Sequence, residues 1–179
     1  GTGKTTQLPQ YLNNFNQKNI ICTQPRKLPT LTSADRVGFE TGCQINAFTS
    51  SFRVESAKLD SFVNYFSEVA FLNYLLKQIS NNNYLESVSV LIIDEAHERS
   101  LECDIILGLV KKYLLPNRPD LKVIISSATV NQQVFSEFLQ GCPVLECRGK
   151  TYPIEYHYLS KYDDYFVQLC NTTKRVIEG

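Results

Sequence analysis

The sequence predicts an α/β fold, a mostly parallel sheet with helices on both faces. Three observations carry that reading. Short apolar runs alternate with helical segments along the 179 residues. A glycine-flanked Lys4-Thr5 pair, within Gly1-Thr2-Gly3-Lys4-Thr5-Thr6, opens the first helical segment. Much further on, the apolar run 88–93 ends in two adjacent carboxylates, Asp94 and Glu95. Such a run reads as a strand buried on both faces, and its C-terminal end is where α/β sheets place ligands.

Taken in order, residues 4–14 continue from the glycine loop as a helix, and 19–23 form a short apolar strand. Pro29 suits the first turn of a helix running to about Thr41, because its fixed φ and missing N–H cost nothing there. Two strands are expected at 50–55 and 62–66, followed by a helix over 68–79. The Asn81-Asn82-Asn83 run is a turn. After strand 88–93, Leu101, Ile105, Leu109 and Lys112 keep helical spacing, with Pro116 and Pro119 closing the element. A strand at 123–126, a helix at 134–139 and a final helix at 166–177 complete the pattern. There is no internal repeat and no low-complexity tract.

Composition bounds the function classes. Apolar residues make up 43%, and 18 basic side chains balance 18 acidic ones, so the chain can build a core and carries no global basic field. That excludes a coating protein that holds nucleic acid by net charge, but not one that grips a strand through a few local contacts. No apolar stretch reaches membrane-spanning length, and no signal peptide precedes the first motif. Six cysteines, Cys22, Cys43, Cys103, Cys142, Cys147 and Cys170, show no CxxC pair. Several lie in predicted strands or on apolar helix faces and read as buried thiols of a reducing, intracellular compartment, nucleus or cytoplasm, rather than disulfides or a zinc site.

The chemistry lies in the two motifs together. In a glycine loop that opens a helix, backbone N–H groups cradle phosphates, a lysine such as Lys4 reaches the β/γ-phosphates, and a hydroxyl such as that of Thr5 meets Mg²⁺. Asp94 can hold the metal, and Glu95 can orient and polarise the attacking water. The two strand ends would then form one ATP site.

Four stretches resemble motifs of the DEAH-box (DEAH/RHA) ATP-dependent RNA helicases. Gly1-Thr2-Gly3-Lys4-Thr5-Thr6-Gln7 is similar to motif I and Cys22-Thr23-Gln24-Pro25-Arg26-Lys27 to motif Ia. Asp94-Glu95-Ala96-His97-Glu98-Arg99-Ser100 is similar to motif II and Ser127-Ala128-Thr129 to motif III, in the family's order. The resemblance continues through 118–122 and 149–154 and implies a RecA-like P-loop NTPase domain, the first of two. It implies ATP and Mg²⁺ as cofactors, with Thr6 and the backbone of Gly1, Thr2 and Gly3 completing the phosphate cradle. Arg36 would stack on the adenine, and Arg26 would meet the phosphate backbone of single-stranded or structured RNA. His97, Ser127 and Thr129 would couple the ATP site to a second RecA-like domain of the same chain. A protein activator could act on the pair, and no membrane is involved. The domain would occupy residues 1–160, with 161–179 as a C-terminal helix and the start of a linker. On this resemblance the chain begins within motif I and lacks the strand feeding it. That strand is expected to be central, its loss leaving a slot in the sheet and the piece alone inactive.

Duller readings compete. Glu98 and Arg99 suit structural ion pairs, and Arg36 could be an ordinary solvated helix residue. His97 alone would pass for a structural histidine, and Ser127 and Thr129 could bond local backbone. The tyrosines of 152–165 are spaced irregularly, which favours packing over base stacking. Two departures from the family pattern bear on RNA. Motif Ia continues as Lys27-Leu28-Pro29-Thr30, and Ser67-Glu68-Val69 stands where the family has Thr-Asp-Gly, so a left-handed backbone at Val69 would be strained. A module that keeps the fold to bind RNA or protein without catalysis is therefore the alternative, and a DNA helicase is a more distant one.

Overall fold

The computed structural model describes residues 3–15, 19–49, 58–128, 132–139, 141–147, 153, 156 and 165–178. The chain divides into two units, Gly1–Arg148 and Gly149–Gly179. In the first, helix α1 (Gln7–Asn14) leads to strand β1 (Ile20–Gln24), helix α2 (Lys27–Thr41) and strand β2 (Asn46–Phe48). Strand β3 (Val63–Ser67) passes directly into helix α3 (Glu68–Ser80), and β4 (Val90–Ile93) ends at the paired carboxylates. Helix α4 (Leu101–Leu109) continues through a π turn (Val110–Leu114) into a last turn, α5 (Leu115–Asn117). Strand β5 (Lys122–Ile125) and helix α6 (Gln132–Phe138) follow.

The five strands lie in the order β2-β3-β1-β4-β5, and every pairing is parallel. This places the C-terminal ends of β1, β4 and β5 side by side. The expected slot is not found. β1 bonds directly to β3 and β4, and β4 to β5, so among the described residues the sheet is continuous.

Side-chain alternation along the strands builds two cores. Ile21, Phe66, Leu91 and Ile93 face α3 and α4, packing on Phe71, Leu75, Ile106 and Val110. Ile20, Cys22, Tyr65 and Ile92 face the other way, against Ala34 and Val37 of α2 with Leu8 and Leu12 of α1. Helices therefore cover both faces.

Element limits differ from expectation by a few residues, and the reasons are local. Helix α1 starts at Gln7, because residues 4–6 are spent in the turn of the glycine loop. Helix α2 starts at Lys27, leaving Pro29 third in its first turn, where the N–H has no helical partner. Strand β2 was not predicted; three half-buried residues give no apolar run. The predicted strand at 50–55 lies outside the described residues. Helix α4 turns a different face inward than Leu101 and Ile105, both of which are exposed. Its core side is Cys103, Ile106, Leu107, Val110 and Leu114, phased by the Ser100 cap, whose hydroxyl accepts from the Cys103 N–H. Val69 is helical within α3, so no left-handed backbone is demanded of it.

Arg118 stabilises the irregular segment between α3 and β4. Asn82, Tyr84 and Leu85 all have positive φ there. The Arg118 guanidinium donates to the carbonyls of Tyr84, Leu85 and Val88 while paired with Asp120 at 2.7 Å. Within the second unit, helix α7 (Tyr165–Glu178) exposes Tyr165, Phe166, Val176 and Ile177. Tyr156 and Tyr165 are exposed too, against the packing reading; the tyrosines at 152, 158 and 162 lie outside the described residues.

Candidate nucleotide-binding site

The loop before α1 turns on Gly3, whose φ is +77°; a Cβ there would come within 2.8 Å of Gln7 Cγ. Only glycine adopts that backbone without strain. The Gly3 carbonyl accepts from the N–H groups of Gln7 and Leu8 and so starts the helix. Thr6 stands immediately before α1. From below, the Tyr65 hydroxyl of β3 donates to the Thr5 carbonyl at 2.7 Å. Burial pushes the Tyr65 phenol far up, with charge on Cys22 and Asp94 adding to the effect. Tyr65 is therefore a fixed neutral donor under the loop.

Asp94 is the centre of the site. It is 1% exposed, and its two oxygens take four donors. Oδ2 accepts from the Thr5 hydroxyl and, at 2.7 Å, from Gln24 Nε2. Oδ1 accepts from the Ser126 hydroxyl and, at 3.0 Å, from the Glu95 N–H. The donors come from the glycine loop and the C-terminal ends of β1 and β5, so sheet order is what gathers them. A buried carboxylate is costly unless it is so satisfied. Lys4 Nζ donates to the Ser127 carbonyl at 2.8 Å, closing the loop onto the end of β5.

Glu95 leaves β4 with φ +53°, and Arg99 ends the following single turn of 3₁₀ helix (Ala96–Glu98) with φ +51°. Each non-glycine residue in this region costs about 1–2 kcal/mol. The Ala96 N–H holds the turn by donating to the Ser126 carbonyl at 3.0 Å. His97 Nδ1 accepts from the Ala128 N–H at 3.2 Å and lies 3.3 Å from Glu95 Oε2.

Arg26, Arg36 and Arg99 are engaged with acids. Arg26 pairs with Glu98 at 3.1 Å, largely in solvent. Arg36 pairs with Glu40 at 2.5 Å, and Glu40 also accepts from Gln7 and Gln10 of α1. Those donors, Gln10 foremost, hold the Glu40 carboxyl below its usual range. Arg99 forks onto Asp104 at 2.9 and 3.0 Å. Glu98 and Arg99 thus both sit in ion pairs. Glu68, 2% exposed, accepts from the Ser100 hydroxyl; burial raises its carboxyl and, with the Glu68 charge, lifts the Cys103 thiol to about 12.

A cavity of about 430 Å³ opens between these groups, lined by Thr5, Gln24, Arg26, Glu95, Glu98 and the first two turns of α2. Lys4, Thr5, Asp94, Glu95, His97 and Ser127 are brought together. Arg26 lies at one edge of this cavity, while Arg36 is placed further along α2, beside α1. Gly1, Thr2 and Thr129 fall outside the described residues. Gln24, Ser126 and Tyr65 were missed. Polar residues at the ends of buried strands could have signalled the first two, but nothing in the sequence marks Tyr65.

Thr5 and Asp94 suit Mg²⁺, which takes one or two carboxylates with hydroxyl, water and phosphate oxygens. Among the described residues no three His, Cys, Asp or Glu side chains gather as a metal cluster. Cys22 and Cys103 are buried, as expected of several of the cysteines, whereas Cys142 is half-buried and Cys43, Cys147 and Cys170 are exposed. No described helix is long and apolar enough to cross a membrane.

No family model matches the chain. Curated relatives do. The chain is 41% identical over 157 residues to the probable ATP-dependent RNA helicase DHX34 of Homo sapiens, covering 86% of itself and 13% of that protein. It is 37% identical over 171 residues to the DExH-box ATP-dependent RNA helicase DExH3 of Arabidopsis thaliana, covering 90% and 14%. It is 36% identical over 165 residues to the pre-mRNA-splicing factor ATP-dependent RNA helicase prp22 of Schizosaccharomyces pombe, covering 88% and 14%. The chain therefore spans about one-seventh of the length of these relatives. With that identity running along nearly nine-tenths of a RecA-like α/β domain, the chain belongs to the DEAH-box ATP-dependent RNA helicase family.

Proposed function

We propose that this domain binds ATP as the first RecA-like domain of a helicase and couples its hydrolysis to RNA unwinding or ribonucleoprotein remodelling. The observation that carries the reading is the joining of the Lys4-Thr5 loop to the Asp94-Glu95 strand end through the Thr5–Asp94 hydrogen bond, with Thr5 and Glu95 lining one cavity. Lys4 would leave the Ser127 carbonyl for the β/γ-phosphates, with Gly1, Thr2, Gly3 and Thr6 completing the cradle. Thr5 and Asp94 would hold Mg²⁺, which when bound neutralises charge on the β- and γ-oxygens. Glu95 would orient the attacking water, and Arg36 would stack on the base. Arg26 would meet the RNA backbone, while His97, Ser127 and Thr129 would link the site to a second RecA-like domain. Residues 161–179 would supply the helix and linker towards it.

The alternative, a catalytically impaired module, draws on the RNA side alone: Arg26 is occupied by Glu98, and Ser67-Glu68 serves as a helix start. One substitution separates the two. Glu95→Gln keeps the shape of the carboxylate but cannot act as base, a function worth about 10²–10⁴-fold. In the full-length protein it should retain ATP affinity and lose RNA-stimulated hydrolysis by that factor. A wild-type protein that binds RNA but hydrolyses no ATP would favour the module.

A further inference from the structure

Gln24 belongs by sequence to the stretch that carries Arg26, but its side chain does not go with Arg26. The residue is 3% exposed, with Nε2 donating to Asp94 Oδ2, whereas the Arg26 guanidinium pairs with Glu98. That oxygen also accepts the Thr5 hydroxyl. A carboxylate offers about four acceptor positions, and the four donors Thr5, Gln24, Ser126 and the Glu95 N–H occupy them, so a metal held by Thr5 and Asp94 would replace the Thr5 hydrogen bond and leave the other three. Three of these are tied to the phosphate loop, to β5 or to Asp94's own chain neighbour. Gln24 is the only donor from β1, and its side chain also lines the cavity beside Thr5 and Glu95. A neutral amide suits that place. It fixes the oxygen without adding charge, whereas a cation would compete with a metal for the same carboxylate.

We infer that Gln24 is a positioning residue for the metal-holding carboxylate, fixing Asp94 Oδ2 beside the Thr5 hydroxyl and thereby setting the Mg²⁺ affinity of the nucleotide site. The inference rests on the nucleotide-site reading above. Partners of a metal ligand are typically worth about 10–100-fold in metal affinity. It also divides motif Ia between two tasks two residues apart, Gln24 inward to the carboxylate and Arg26 outward to Glu98.

The test compares wild type with Gln24→Met, which keeps the length and loses the donor. Fluorescent N-methylanthraniloyl-ADP is titrated into the full-length protein in EDTA and in increasing Mg²⁺. The expected result is unchanged affinity in EDTA and a Mg²⁺ midpoint raised about tenfold or more. Equal losses in EDTA and Mg²⁺ would make Gln24 an ordinary structural residue, and an unchanged midpoint would also overturn the inference. If Gln24→Met lacks a cooperative melt, Gln24→Ala carries the same comparison. A wild type that binds no nucleotide under either condition overturns the nucleotide-site reading, and the positioning role with it.

Discussion

Gln24 and Arg26, two residues apart, differ in how they are held. At Asp94 the contacts are buried, come from separate elements, and leave the carboxylate no freedom. At Arg26 there is one exposed ion pair, with 72% of the arginine side chain accessible. An exposed pair contributes about 0–1 kcal/mol and yields readily to another anion. Removing one partner from a buried polar set costs more, about 1–3 kcal/mol for each group left unsatisfied. The surroundings of Asp94 are thus fixed by buried contacts, while Arg26 lies on a surface whose charges can be re-paired.

Arg26→Ala should separate the two most widely. If Arg26 exchanges Glu98 for an RNA phosphate, its loss should weaken single-strand binding regardless of sequence and lower the salt slope by about one unit. Melting temperature should stay at wild type. Labelled strands titrated at several salt concentrations provide the readout. A normal slope would mean that Arg26 serves only Glu98.

A smaller effect sharpens the contrast from the buried Glu68. Burial raises the Glu68 carboxyl above its ordinary 4.5, so folding favours its protonated form. Its contribution to stability is therefore present in full below the ordinary value and lost as pH rises through the raised one. Glu68→Gln does not titrate. Its melting temperature relative to wild type should increase between pH 4 and pH 7, by a few degrees at most. A constant difference across that range would mean that the Ser100 hydrogen bond offsets the burial.

Much of this was legible in the sequence because it is local. The runs that became β1, β3, β4 and β5 are short and mostly apolar, and the glycine loop and paired carboxylates are contiguous motifs. What was not legible depends on the sheet. Strand order brings Gln24 and Ser126 onto Asp94 from 70 and 32 positions away, and Tyr65 under Thr5 from 60. The inward face of α4 followed the Ser100 cap and the π turn rather than the simple Leu101-Ile105 period. The expected slot in the sheet failed for the same reason. Adjacency of β1 and β4 is a property of topology that no single segment announces.

The most direct test is a crystal structure of the full-length protein with ADP, Mg²⁺ and aluminium fluoride. The account predicts Lys4 Nζ displaced from the Ser127 carbonyl onto phosphate or fluoride, the metal beside Thr5 and Asp94, and Glu95 facing the attacking water. Lys4 still bonded to Ser127, with the nucleotide bound away from the Asp94 carboxylate, would contradict it.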